Sequence, residues 1–351
     1  PGGHPRPAPD GATLQSRSPH HVISARSAGA TLAAVACAGT LLAQSPAPTP
    51  SPVPSASPRA ATPPPFRVEV DVDVVSVTAV VYDKTGRFVR GLGPKDIEVL
   101  EDGVPQEVSY FREAGVKDAE RIPLSIALVL DCSGSMRHNM HFLQEAALAF
   151  VNKLEDVDSA LVVSFNESIK GSAEFTADSG RLEQFVEALE AWGGTSLYDA
   201  IHYGLERVKG QAGRKAVVVF TDGADTTSSM KEQEVVDYAR SVEATVYCIG
   251  FRGESGLLAR SPRGFLRKIS QETGGAFFFP DKIGELIKIF NGISDELHNH
   301  YLLAYTPKRP PDGTWREIEI RLRERKDAEV RVRKGYFAVK RRRPTVPTTA
   351  N

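Results

Sequence analysis

Cysteine is scarce. Cys37, Cys132 and Cys248 are the three in 351 residues, too few for a disulfide framework, and no two have the short spacing of a zinc-binding pair. Charge of one sign is also missing: 43 Lys and Arg stand against 44 Asp and Glu, a formal net charge of -1, so nothing draws the chain toward nucleic acid. No Gly-x-Ser-x-Gly elbow with a histidine partner and no Walker loop occurs, which removes the serine-hydrolase and nucleotide-phosphate readings. With these gone, no small-molecule substrate and no catalytic residue are expected. The apolar run Ser27 to Ala43 stops short of the roughly 20 residues that a spanning helix needs.

What is present divides the chain. Residues 1–21 are rich in Pro, Gly, His and Ser. Arg26, the short apolar run and Leu41-Leu42-Ala43 before Gln44 then follow the secretory signal pattern, so residues 1–43 are expected to be a disordered start plus a signal peptide. The expected location is outside the cytoplasm: periplasmic, envelope-associated or secreted. Nine prolines between Pro46 and Pro65 make residues 44–65 a linker. In the next segment, 66–118, Val68, Val70, Val72 and Val74 alternate with Glu69, Asp71 and Asp73, which predicts a half-buried strand. Asp102-Gly103, with Ile97–Leu100 before it and Val108–Phe111 after it, is a hairpin signal. Tyr301–Tyr305, Trp315–Arg323 and Val330–Val339 read as strands in the C-terminal segment 300–339, and a basic tail, 340–351, follows. Each β-rich flank needs partners for its edges, so the two are expected to pack together as one accessory β-module.

Between the flanks, residues 119–299 alternate buried-strand runs with helical stripes. Ile126–Leu130, Leu161–Phe165, Ala216–Phe220, Thr245–Ile249 and Ala276–Phe279 are the strands. Stripes such as Leu143, Ala146, Ala147 and Phe150, or Leu197, Ile201, Leu205 and Val208, are the helices. This predicts an α/β fold: a doubly wound, mainly parallel sheet with helices on both faces.

Ligands of such sheets bind outside the carboxyl ends of the strands. Three polar clusters fall there or can reach there: Asp131-Cys132-Ser133-Gly134-Ser135, Gly193-Gly194-Thr195-Ser196 and Thr221-Asp222-Gly223. They offer two carboxylates and several hydroxyls, hard oxygen ligands that suit Mg²⁺ or Mn²⁺, and Ca²⁺ less specifically. So few carboxylates leave a cation under-neutralised, with water in its shell that an acidic group from a partner can replace. The competing reading is loop capping, since Asp and Ser are common at helix N-termini.

The clusters, extended to Gly194-Thr195-Ser196-Leu197-Tyr198-Asp199-Ala200, together resemble the metal-ion-dependent adhesion site of the von Willebrand factor type A family, over about Pro123 to Asn299. The resemblance implies a Rossmann-like fold and a divalent cation held by Asp131, Ser133, Ser135, Thr195 and Asp222. In it, Ser133 and Ser135 ligate directly, Asp131 and Asp222 directly or through water, and Thr195 in a state-dependent way; Asp199 matches a structural position. The partner implied is a protein that supplies an Asp or Glu to the metal. Val89–Asp96, Glu101–Gln106 and Arg333-Lys334-Gly335-Tyr336 resemble segments of exported bacterial proteins that carry this domain, which fits association with an envelope or surface. An Asp after a buried strand also resembles the haloacid-dehalogenase-like phosphatases, but the second Asp of that motif is Ser133 here, which cannot serve as a general acid. A metal-independent envelope scaffold is the third reading. Cys132 and Cys248 are expected to be buried and free, and His138, His141, His298 and His300 to be surface residues.

Overall fold

The computed structural model describes residues 74–115, 122–251, 262–325 and 327–339. The signal pattern, the proline linker, the valine–acid alternation of 68–73, Cys37 and the basic tail lie outside the described residues. No helix among the described residues is long and apolar enough to cross a membrane.

The N-terminal flank supplies β1 (Val75–Asp83), β2 (Ile97–Glu101), β3 (Val104–Gln106) and β4 (Val108–Glu113). The central domain carries β5 (Leu124–Asp131), α1 (Met140–Val151), β6 (Ser159–Phe165), β7 (Ile169–Gly171), α2 (Ser179–Glu187) and α3 (Leu197–Lys209). It continues with β8 (Arg214–Thr221), α4 (Glu232–Ser241), β9 (Thr245–Gly250), α5 (Arg263–Thr273), β10 (Phe277–Phe278) and α6 (Leu286–His298). The C-terminal flank adds β11 (Tyr301–Tyr305), β12 (Trp315–Leu322), β13 (Ala328–Arg331) and β14 (Gly335–Phe337).

The central sheet has the order β10-β9-β8-β5-β6-β7 and is parallel apart from β7. All eight residues of β5 are buried, because helices cover both faces of the sheet. Ile126, Leu128 and Leu130 face the layer of α1, α2 and α6, while Ala127 and Val129 face α3, α4 and α5. Gly204 lets α3 lie close: a Cβ there would stand 3.0 Å from Val129 and 3.3 Å from Val217. From β5 the chain winds outward to β6 and β7, then returns to β8 on the other side of β5. The order therefore reverses between β5 and β8, which is the topological switch point where such folds bind ligands.

The flanks form two four-stranded sheets, β13-β1-β11-β4 and β14-β12-β2-β3, and each mixes strands from both ends of the chain. Their apolar faces share one core, including Val77, Val81, Val99, Leu303 and Ile320. Asp102 (φ 48°) and Gly103 (φ 77°) make the two-residue turn, both in the left-handed region that a primed hairpin turn demands. The strand it returns is β3, not 108–111; β4 crosses to the other sheet and pairs with β11. The expected inward face of 74 is also corrected. Val74 is exposed, and the side chains turned inward are Val75, Val77, Ala79 and Val81, because the strand that pairs with β11 starts one residue later.

A buried carboxylate anchors this module. Glu101 Oε2 accepts from Tyr305 Oη and Tyr336 Oη, both at 2.8 Å, and Oε1 accepts from Arg316 Nη1 at 3.0 Å. A second polar group joins the module to the central domain: Glu296 of α6 accepts from Tyr247 Oη at 2.8 Å and from Arg331, which also reaches Tyr82 Oη.

Candidate metal centre

β5 and β8 run in register, Leu130 opposite Phe220, so the residues that follow leave the sheet together. Asp131 is fully buried. Its Oδ1 accepts from the Ser133 amide at 2.8 Å and its Oδ2 from Thr221 Oγ1 at 2.6 Å. Ser133 and Ser135 bring their hydroxyls to 3.1 Å, and Ser135 Oγ donates to Asp222 Oδ1 at 2.6 Å. Thr195 completes the group: a Cβ on Gly223 would lie 3.6 Å from Thr195 Oγ1 and 3.9 Å from Ser135 Oγ, so both hydroxyls border that glycine. All five candidate residues thus meet at the carboxyl edge of β5 and β8.

Burial pushes the Asp131 carboxyl up to about 6, against the hydrogen bonds from Ser133 and Thr221 that favour its charge; the nearby Asp222 adds to the rise. Burial likewise raises Asp222, opposed by its bond from Ser135. Asp222 Oδ2 is buried and has no hydrogen-bond partner among the described residues. A buried carboxylate oxygen without a donor costs free energy that a bound cation would recover. The donors are all oxygens, two of them carboxylates, which is the chemistry of Mg²⁺, Mn²⁺ or Ca²⁺ and not of zinc. The residues present fit a divalent cation.

Two loops hold Thr195 in place. Thr226 Oγ1 accepts from the Thr195 amide at 2.9 Å, and the amides of Thr226 and Thr227 donate to the Thr195 carbonyl at 2.8 and 3.2 Å. Thr227 and Ser196 pair their hydroxyls at 2.7 Å, and a Cβ on Gly194 would meet Thr227 at 2.9 Å. The same loop caps α3: Asp225 and Ser228 accept the Tyr198 and Asp199 amides, while Asp199 accepts those of Ser229 and Met230. Asp199 is therefore a brace beside the site. The backbone of the first cluster is tied as well, with Gly134 N donating to Gly193 O at 3.0 Å and Trp192 N to Cys132 O at 2.9 Å. Sequence reasoning missed Thr221 as the hydroxyl that orients Asp131 and Thr226 as the clasp on Thr195. Thr221 had a signal, since it ends a buried strand beside Asp222; the clasp is a tertiary contact with none.

Cys132 and Cys248 are buried and free. Two of the histidines are not at the surface. His300 is buried, with Arg214 Nη1 at 3.0 Å from its Nδ1, and His298 is partly buried at the opposite edge of the sheet. His298 Nε2 lies 2.8 Å from Asp158 Oδ2 and its Nδ1 lies 2.7 Å from Ser294 O. Both partners only accept, so both ring nitrogens donate. The His298 pKa is raised accordingly, first by the bond to Asp158. Glu155, Asp158 and His298 are the one close grouping of His, Cys, Asp and Glu atoms among the described residues, yet an imidazolium has no lone pair for a metal. His298 and Asp158 pair across the end of α6 and the segment before β6, as an ion pair when the imidazole is protonated.

Residues 125–292 match the family model of the von Willebrand factor type A domain. The central domain is a von Willebrand factor type A domain. A protein of Synechocystis sp., described as uncharacterized, is 26% identical over 228 residues, 60% of this chain. The chain spans about half the length of that relative, 52%. Among solved structures, a von Willebrand factor type A protein from Catenulispora acidiphila is similar at 15% identity and a TM-score of 0.44, over 66% of this chain and 71% of that one. The vWF domain of a type V pili tip protein from Porphyromonas gingivalis is similar at 13% identity and a TM-score of 0.44, over 51% of this chain and 96% of that one.

Proposed function

We propose that this protein is an exported, non-enzymatic interaction module whose type A domain captures an acidic side chain of a protein partner through a divalent cation, Mg²⁺ foremost. The observation that carries the reading is Asp222: its Oδ1 accepts from Ser135, whose hydroxyl neighbours that of Ser133, and its buried Oδ2 has no donor among the described residues. Asp131, Ser133, Ser135, Thr195 and Asp222 would hold the ion. When bound, it supplies positive charge and an exchangeable position for an outside carboxylate. The protein's part is orientation: Thr221 and the Ser133 amide fix Asp131, Ser135 fixes one oxygen of Asp222, and Thr226 fixes Thr195. The position is on an edge formed by loops, which a partner protein can reach.

The phosphatase reading has less support. Asp131 already accepts from Thr221 and from the Ser133 amide through its two oxygens, and no second Asp stands two positions on. Immobilised protein incubated with envelope extract, with and without chelator, tests the proposal. Capture that disappears with chelator and with Asp222→Ala supports it. Capture indifferent to both favours a metal-independent scaffold, and hydrolysis of an aryl phosphate abolished by Asp131→Asn would revive the enzyme.

A further inference from the structure

The loop that carries Thr195 also carries a large aromatic side chain that the fold does not use. Trp192 is 43% exposed and belongs to none of the three apolar cores, although its neighbours Leu189 and Ala191 pack into the layer of α1, α2 and α6. Among the described residues of the type A domain, the exposed large apolar side chains are Val157 and Trp192. Val157 precedes β6, at the amino edge of the sheet; Trp192 lies in the loop that joins the cation site. Its backbone is pinned there. The Trp192 amide donates to Cys132 O, between Asp131 and Ser133, and Gly193 O accepts from Gly134 N, between Ser133 and Ser135. The backbone that carries this exposed indole is thus held beside the ligand loop, so that little further backbone entropy is lost when the ring is covered.

Tryptophan is the residue type most enriched where a few contacts dominate protein binding, because one ring offers a large, stiff apolar face. The surrounding charge narrows what fits. The Glu167 carboxylate lies against the same loop, with its Oε2 3.4 Å from the Gly194 amide. A partner segment that adds further acids meets that negative charge, whereas an uncharged apolar neighbour of the one acid does not add to the repulsion.

We infer that Trp192 is a second recognition element of the same site, and that the partner segment it fits is an acidic residue next to an aromatic or bulky apolar one. This rests on the cation reading above, and the acid alone does not specify it. The acid would engage the cation while its apolar neighbour packs on the indole. Two aromatic rings in contact are worth a further two- to about tenfold in affinity.

Mn²⁺ serves as both the metal and the probe. N-acetyl-Asp-Phe-amide and N-acetyl-Asp-Ala-amide are titrated into the Mn²⁺-loaded full chain, and paramagnetic broadening of the peptide protons is followed by NMR. The wild type should bind the Phe peptide about two- to tenfold more tightly. Trp192→Ala should reduce that ratio to about one, with Mn²⁺ affinity unchanged, and Trp192→Phe should restore most of it. Mn²⁺ binding with no preference for the Phe peptide, with the preference intact in Trp192→Ala, or with neither peptide bound overturns the inference and leaves the cation site standing. Failure of the wild type to bind Mn²⁺ overturns the reading beneath it.

Discussion

Glu101, in the β-module, accepts hydrogen bonds from Tyr305, Tyr336 and Arg316, so both of its oxygens are occupied by side chains of the protein itself. Asp222, at the edge of the central sheet, accepts a side-chain bond from Ser135 and keeps a buried oxygen with no partner among the described residues. Both acids are buried, at 2% and 7% exposure. An internal ion pair explains the first. The second has desolvation raising its carboxyl and, among the described residues, no cationic side chain to offset it. A fold that answers one buried acid with an arginine and two phenols, and leaves another short of a donor, points to a ligand from outside for the second. Asp158 is intermediate: its answer is His298, a donor that holds its charge over part of the pH range.

The largest expected effect breaks the complete cluster. Glu101→Ala removes the nearer and buried carboxylate of the Arg316 guanidinium, 1% exposed, leaves Asp312 at 3.5 Å, strands two phenols, and should cost about 3 kcal/mol in urea unfolding. Addition of Mg²⁺ should stabilise this variant and the wild type equally, so the difference between them should persist. Next comes the incomplete site. A cation at a hundred times its Kd should stabilise the wild type by about 2.7 kcal/mol, visible as a rise in Tm, and Asp222→Ala should abolish the rise. The same substitution, measured without metal, should have the opposite sign from Glu101→Ala. It removes an oxygen with no donor and should stabilise the apo protein by about 1 kcal/mol. Apo destabilisation would mean that Asp222 is already satisfied within the protein.

Legibility followed locality. Runs such as Ile126–Leu130 and Ala216–Phe220 are apolar at every position because both faces of their sheet are covered, so strand and layer could be read together. That the five candidate residues come together was legible because each ends a buried strand, lies in a short segment dense with Gly and Ser between such a strand and the next α-helix, or stands just before a helix. The inward face near 74 was not legible, since Val74 and Val75 are both apolar and pairing with β11, over two hundred residues away, decides between them. The fate of 108–111 was hidden for the same reason: its partner is β11 and not the strand across the turn. His298 and His300 looked like surface residues because their burial depends on Asp158 and Arg214, which are remote in sequence.

The smallest effect concerns Asp158. His298 has a folded pKa raised above its unfolded value of about 6.5, so its stabilisation is fully present below that value and is lost as pH rises through the folded pKa. Urea midpoints of the wild type should therefore fall with rising pH across that window, relative to His298→Gln, in which this component is absent. Equal pH dependence in the two proteins would place the pair outside the stability of the fold.

Calorimetric titration of Mg²⁺ into the purified chain, beside Asp222→Ala of unchanged circular dichroism, tests the central claim most directly. The account predicts one saturable binding event per chain in the wild type and none in the variant. No binding to the wild type, or equal binding to both, would contradict it.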